Sequence, residues 1–156
     1  MPSNTPAQLQ MNAIIADLQA LVPNVLNCVI VDGMTKVHPL DRDYPGFPAA
    51  VVIPPILKES AFEDSANNLR QYTWYVMIVT TPEAIPKTDP TYLAGLEDNV
   101  CAVFDADCTL GGTANGAVMP AVVEPPGPVN HNSVTYVVFY IQFTARVLVP
   151  ASVQIN

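Results

Sequence analysis

Arg70-Gln71-Tyr72-Thr73-Trp74-Tyr75-Val76-Met77-Ile78-Val79 is the stretch on which the fold turns. Its residues alternate with the two-residue period of a β-strand: Tyr72, Trp74, Val76 and Ile78 share one face, while Gln71, Thr73, Tyr75, Met77 and Val79 share the other. The first row reads as core. The second is only half polar, which predicts a strand covered on both faces or one carrying an interface on its second face. Residues 133–149 repeat the pattern, with Val137, Phe139, Ile141, Phe143, Ala145 and Val147 directed to the core. Their opposite row, Tyr136, Val138, Tyr140, Gln142, Thr144 and Arg146, grades from aromatic to polar. At about 3.3 Å per residue this strand reaches roughly 55 Å. That exceeds what a small globule covers, so part of it is expected to project, bend or pair with another chain. Tyr75, Met77, Tyr136, Tyr140, Gln142 and Arg146 are therefore the candidate subunit-interface residues.

Two helices flank these strands in sequence. Thr5-Pro6-Ala7-Gln8 offers a hydroxyl N-cap, proline at the first helical position and glutamine three residues after the cap. Leu9, Ile14, Leu18, Leu21 and Val22 then recur at helical spacing until Pro23, and Gln8, Gln10, Asn12, Asp17 and Gln19 are expected to face water. Asp89-Pro90 opens a second helix, with Asp89 as its cap and Tyr92, Leu93, Leu96, Val100, Val103 and Phe104 along its apolar side.

Between these elements, residues 25–31 read as a strand, Asp32-Gly33 as a tight hairpin turn, and Thr35, Lys36 and Val37 as a short return strand. Residues 38–48 are too rich in Pro and Gly for regular structure. Residues 49–53 form a short buried strand that Pro54 and Pro55 terminate, and residues 56–68 read as a loop. Gly111-Gly112 and Asn115-Gly116 mark turns, residues 118–124 a short strand, and Pro125-Pro126-Gly127-Pro128 a breaker. The sum is a single α+β domain over residues 1–156, a mostly antiparallel sheet with two α-helices packed on one face.

Composition narrows the function. The 156 residues are half hydrophobic, enough for a core that buries about 70% of the unfolded surface. The formal net charge is −8, and Lys36, Arg42, Lys58, Arg70, Lys87 and Arg146 are scattered, which disfavours phosphate binding and anionic membranes. Only 13% of residues are charged, low for a monomer's surface and a pointer to assembly. Met1-Pro2-Ser3-Asn4-Thr5 lacks the charge and apolar run of a signal peptide, so a cytoplasmic site of synthesis is expected. Cys28, Cys101 and Cys108 are odd in number and lack metal-ligand spacing; they read as reduced, packed thiols.

The sequence supplies no catalytic, metal or cofactor motif. Asp105-Ala106-Asp107-Cys108 is a carboxylate pair beside a thiol, read either as an acid/base or metal site or as solvated residues ending the second helix. His38 and His131 lie in separate proline-rich loops, and either could serve as base to a cysteine only if folding brought them together.

With these elements in order, the chain resembles the tail-terminator (tail-completion) proteins of long-tailed bacteriophages. The resemblance spans most of the chain. It consists of the amphipathic helix over residues 6–22, the proline-entered strand Phe47-Pro48-Ala49-Ala50-Val51-Val52-Ile53, an acidic loop with Glu59 and Glu63, and the strand opening Arg70-Gln71-Tyr72. A helix beginning Asp89-Pro90 and the terminal strand over residues 134–149 complete it. The Pro-rich stretches at 39–48 and 125–128 depart from the family's pattern. The resemblance implies a virion structural protein, made in the host bacterial cytoplasm, that is not an enzyme and carries no cofactor. It would form a homo-oligomeric ring, usually a hexamer, capping the tail tube and joining it to the head-completion or neck protein. Double-stranded DNA would pass through the channel without specific binding. Another tail, neck or baseplate component is the nearest alternative. A small ligand-binding domain, or a hydrolase using Cys101 or Cys108 with His131, is the alternative from a different class.

Overall fold

A computed structural model describes residues 5–32, 38–62 and 66–150. Among them are two helices, α1 (Pro6–Gln19) and α2 (Tyr92–Ala106), and five strands: β1 (Cys28–Val31), β2 (Ala49–Phe62), β3 (Asn67–Thr80), β4 (Ala121–His131) and β5 (Val134–Pro150). The strands form one sheet in the order β1-β2-β3-β5-β4. All neighbours are antiparallel except β1 and β2, where Cys28 to Val31 run parallel to Ala49 to Val52. The fold is thus the expected α+β type with a mostly antiparallel sheet. Asp32 is described, but Gly33 and the expected return strand at Thr35, Lys36 and Val37 lie outside the described residues.

Both helices pack on one face. Ile14 and Leu18 of α1 and Leu96, Val100 and Phe104 of α2 join Trp74, Val76 and Ile78 of β3 and Phe139, Ile141 and Phe143 of β5 in one buried cluster. Phe104 meets Phe143 at a centroid distance of 4.9 Å, a tilted pair of the kind aromatic rings favour. The Thr5 hydroxyl caps α1 by accepting the Gln8 N–H at 3.2 Å. Asp89 does not cap α2 directly. Its Oδ1 accepts from the backbone N–H and hydroxyl of Thr91, and that turn leads into a helix starting at Tyr92.

Gln10 does not face water. It is fully buried, with Oε1 accepting the Trp74 indole N–H at 2.9 Å and Nε2 donating to the Thr113 carbonyl at 3.4 Å. A polar side chain in a core needs such partners. Here they tie α1 to the central strand and to the loop after α2.

The proline rules misplace two strands. The expected loop at 56–68 is mostly strand: β2 continues through Phe62, with its register to β3 shifting between Ile53 and Leu57, around Pro54 and Pro55. β1 pairs only with residues 49–52, so the prolines sit where β2 has an open side among the described residues. β4 likewise begins at Ala121 and runs through Pro125, Pro126 and Pro128, with register shifts from Val122 to Gly127. Among the described residues it is an edge strand, so its prolines remove no ladder partner from a second neighbour there. Asn132 and Ser133 join it to β5 with φ of 49° and 65°, the paired left-handed geometry of a two-residue hairpin turn.

Parallel strands need a crossover of a dozen or more residues. The chain between β1 and β2 provides it, and residues 38–48 form a strap over the sheet face opposite the helices. Leu40 is buried there with Val51, Met77, Val79 and Val138, and Tyr44 and Phe47 pack alongside. Arg42 reaches Asp32 at the end of β1 in a 2.6 Å ion pair, while the neighbouring Asp41 bonds His131 at the β4–β5 turn. Adjacent strap residues thereby grip opposite edges of the sheet.

Candidate functional site

The second sheet face holds every candidate interface residue. Opposed pairs across β3 and β5 run Val79–Val138, Met77–Tyr140, Tyr75–Gln142, Thr73–Thr144 and Gln71–Arg146. The strap divides this face. At its near end Met77 is only 2% exposed and lies in the strap's apolar cluster, so it is an intramolecular core residue in the folded chain. Tyr136 is half-buried there, its ring 6.2 Å from that of Phe47. The cluster's fringe ends at Ile53 and Tyr140, and among the described residues no further buried cluster forms on this face.

Beyond that fringe Tyr75, Tyr140, Gln142 and Thr144 are half-buried and Arg146 is exposed, its Nε donating to Gln71 Oε1 at 2.9 Å. A depression of about 460 Å³ is lined by Ile53, Tyr75, Val123, Glu124 and Tyr140. A second of about 450 Å³, where β5 outruns β4, is lined by Met119, Ala121, Gln142, Thr144 and Arg146 among others. Met119 is 80% exposed and Val123 48%. Burial, and then the nearby Glu124 carboxylate, push the Tyr140 phenol up, so it stays a neutral hydroxyl. Such tyrosines give a rigid apolar ring with one polar tip, a composition typical of interface cores.

The strap's apolar contacts end at Ile53 and Tyr140, which leaves this half open. Helices of 14 and 15 residues extend about 22 Å, whereas the 17 residues of β5 reach roughly 55 Å. On the opposite face, too, the outer ends of β2, β3 and β5 outrun the helical layer.

The residues weighed for chemistry do not assemble into a nucleophile–base site. Cys101 packs against the helix-side core, and burial pushes its thiol up, opposite to what an activated nucleophile requires. His131 is on the other side of the sheet, in register with the Val129–Tyr136 row. Cys108 follows α2, where its carbonyl accepts the Val118 N–H. Among the described residues no group of three or more His, Cys, Asp or Glu is placed to hold a metal ion.

Two groupings were not legible in the sequence. Asp107 accepts the Gly111 N–H at 2.8 Å at the end of α2 and also meets Asp17 of α1. Desolvation, followed by the hydrogen bond to Asp107 and that group's charge, pushes Asp17 up to about 7. A raised carboxyl contributes stability that is fully present below its unfolded value of 3.8 and is lost as pH rises through about 7. Asp17→Asn should therefore be more stable than the parent at about pH 8 and flatten the decline between about pH 4 and 7. Urea unfolding at the two ends of that range checks this, and an unchanged slope would refute it.

The second grouping is His38 with His131. Their rings stack at 4.2 Å with planes 15° apart, beside Asp41 and Asn132. A scan against protein-family models finds no match, and no curated protein matches the sequence. Among the described residues no helix is long and apolar enough to cross a membrane.

Proposed function

We propose that this chain is a structural subunit that assembles through the open half of its second sheet face. In this reading it is one member of a ring that caps a phage tail tube and joins it to the head or neck. The observation that carries the assembly claim is the row of half-buried Tyr75, Tyr140 and Gln142 and exposed Arg146, which continues past the end of the strap's cover. The proline-bearing edge strand β4 supports a face-mediated contact, since its prolines weaken addition of a further strand at that edge. The sparse charge of 13% and net −8 support it as well, with a lumen that would repel DNA and let it slide.

The tail role itself rests on the order of helices and long strands. Its test is a particle assembled without this chain. Tails of uncontrolled length that fail to join heads are expected; tails of normal length that join heads normally would rule the role out.

A further inference from the structure

Thr144 stands opposite a break in the edge of the sheet. β4 pairs with β5 no further back than Ala121 with Gln142, and residues 117–120 before it are not strand. Continued in that register, β4 would set Met119 against Thr144. Instead Val118 is drawn into the helix-side core, its N–H donating to the Cys108 carbonyl at 2.7 Å, and Met119 is left 80% exposed. Farther along, Asn115 closes the edge again. Its N–H donates to the Arg146 carbonyl at 2.6 Å, and its Oδ1 accepts the Leu148 N–H at 2.9 Å. Between these two closures lies the depression of about 450 Å³.

Strand geometry fixes which groups point into it. The N–H and C=O of one residue face the same neighbour, and the side alternates from residue to residue. Arg146 and Leu148 both bond Asn115, so Thr144, two residues before Arg146, turns its backbone to that same side. Thr144 therefore offers an N–H and a C=O into the depression, and Arg146 adds its N–H. Among the described residues no backbone group bonds them there. The side chains of Gln142, Thr144 and Arg146 lie together on the second face and line the depression. Arg146 gives its Nε to Gln71, which leaves the terminal nitrogens of the guanidinium for a ligand. Glu124, the acidic residue of β4, opposes Tyr140 and so lies beyond Gln142.

We propose that this notch binds a partner's extended peptide segment with an acidic central residue, which takes the place of the missing part of β4. The central residue exchanges two backbone hydrogen bonds with Thr144, the strand-addition mode of peptide recognition. Its side chain then falls on the second face, diagonal to Arg146, where a carboxylate meets the guanidinium in a charge-assisted bond. The residues on either side of it point to the other face, toward Phe143, and are apolar. From Gln142 to Arg146 the notch extends about 13 Å, room for about three residues before the segment meets Ala121 at one end and Asn115 at the other. The site goes beyond self-assembly of the open face and does not rest on it.

Titration of the isotope-labelled full chain with acetyl-Val-Glu-Val-amide, followed by amide NMR, tests it. The Thr144 and Arg146 amide resonances should move as the peptide is raised to about 10 mM, the weak affinity expected of so short a ligand. Acetyl-Val-Lys-Val-amide should bind about fivefold more weakly, and Arg146→Gln, a change at an exposed side chain, should erase that preference while Thr144 still responds. A glutamate peptide methylated on its central nitrogen cannot donate to the Thr144 carbonyl and should lose binding. Thr144 and Arg146 amides that stay in place overturn the site. Equal binding of the glutamate and lysine peptides, a preference that survives Arg146→Gln, or full binding of the methylated peptide would each overturn it as well. Self-association enters none of these readings, so the site and the face contact fail separately.

Discussion

Trp74→Ala is expected to cost about 3–5 kcal/mol of stability, the range for deleting a large aromatic from a core. Trp74 is fully buried between the two helices and the central strands, so the cavity has no route to water. The loss has a second part. Without the indole N–H, Gln10 Oε1 becomes a buried acceptor without its 2.9 Å donor. A cycle with gentler substitutions separates the parts. Trp74→Phe orphans the glutamine, Gln10→Leu orphans the indole, and each single change should cost about 1–3 kcal/mol from the unsatisfied group. The double variant removes both partners and should cost less than the sum, with a coupling of about 0.5–3 kcal/mol. Chemical denaturation of the four proteins measures this. Strict additivity would mean that the bond does not tie α1 to β3 energetically.

Tyr75→Ala and Tyr140→Ala are each expected to weaken self-association by about 30-fold or more, the equivalent of about 2 kcal/mol at an interface hot spot. The two tyrosines line the same depression with Ile53 and Val123, at the border between the strap-covered and open halves. A partner seated there would exclude water from both rings and meet the depression's single carboxylate, Glu124. Tyr75 lies outside both buried clusters, so its loss leaves the intramolecular core intact, whereas Tyr140 packs on the fringe of the strap's cluster and its truncation also trims that packing. Tyr92→Ala, on α2 at the opposite face, is the control and should leave association unchanged. Sedimentation velocity over a concentration series gives the fold-changes directly. Equal effects from Tyr75→Ala and Tyr92→Ala would remove the open face from consideration.

The long alternating rows of β3 and β5 and the helical spacing of α1 and α2 were legible because each is a local period imposed by one buried face. β2 beyond Ile53 and β4 beyond Glu124 were not. A proline excludes a strand only if both of its edges are paired, and edge status is set by strand order, which is a non-local property. Gln10 was misread by residue type, although position 10 falls in step with Ile14 and Leu18 on the buried stripe. Position was the better guide there. The parallel pairing of β1 sends the chain across the second face, and that crossover buries Met77 and brings His38 onto His131. No local pattern announces a crossover of that kind. The remaining interface candidates, Tyr75, Tyr136, Tyr140, Gln142 and Arg146, do share the face that alternation assigned to them.

Hydroxyl-radical footprinting of the purified protein at low and high concentration, with its mass followed in parallel, tests assembly through the open face most directly. The account predicts that Tyr75 and Tyr140 lose reactivity together as mass rises above that of one 16.8 kDa chain, while Tyr92 does not. A protein that stays monomeric through about 100 μM, weaker than the range of specific assemblies, would contradict it. So would an oligomer in which Tyr75 and Tyr140 remain as reactive as in the single chain.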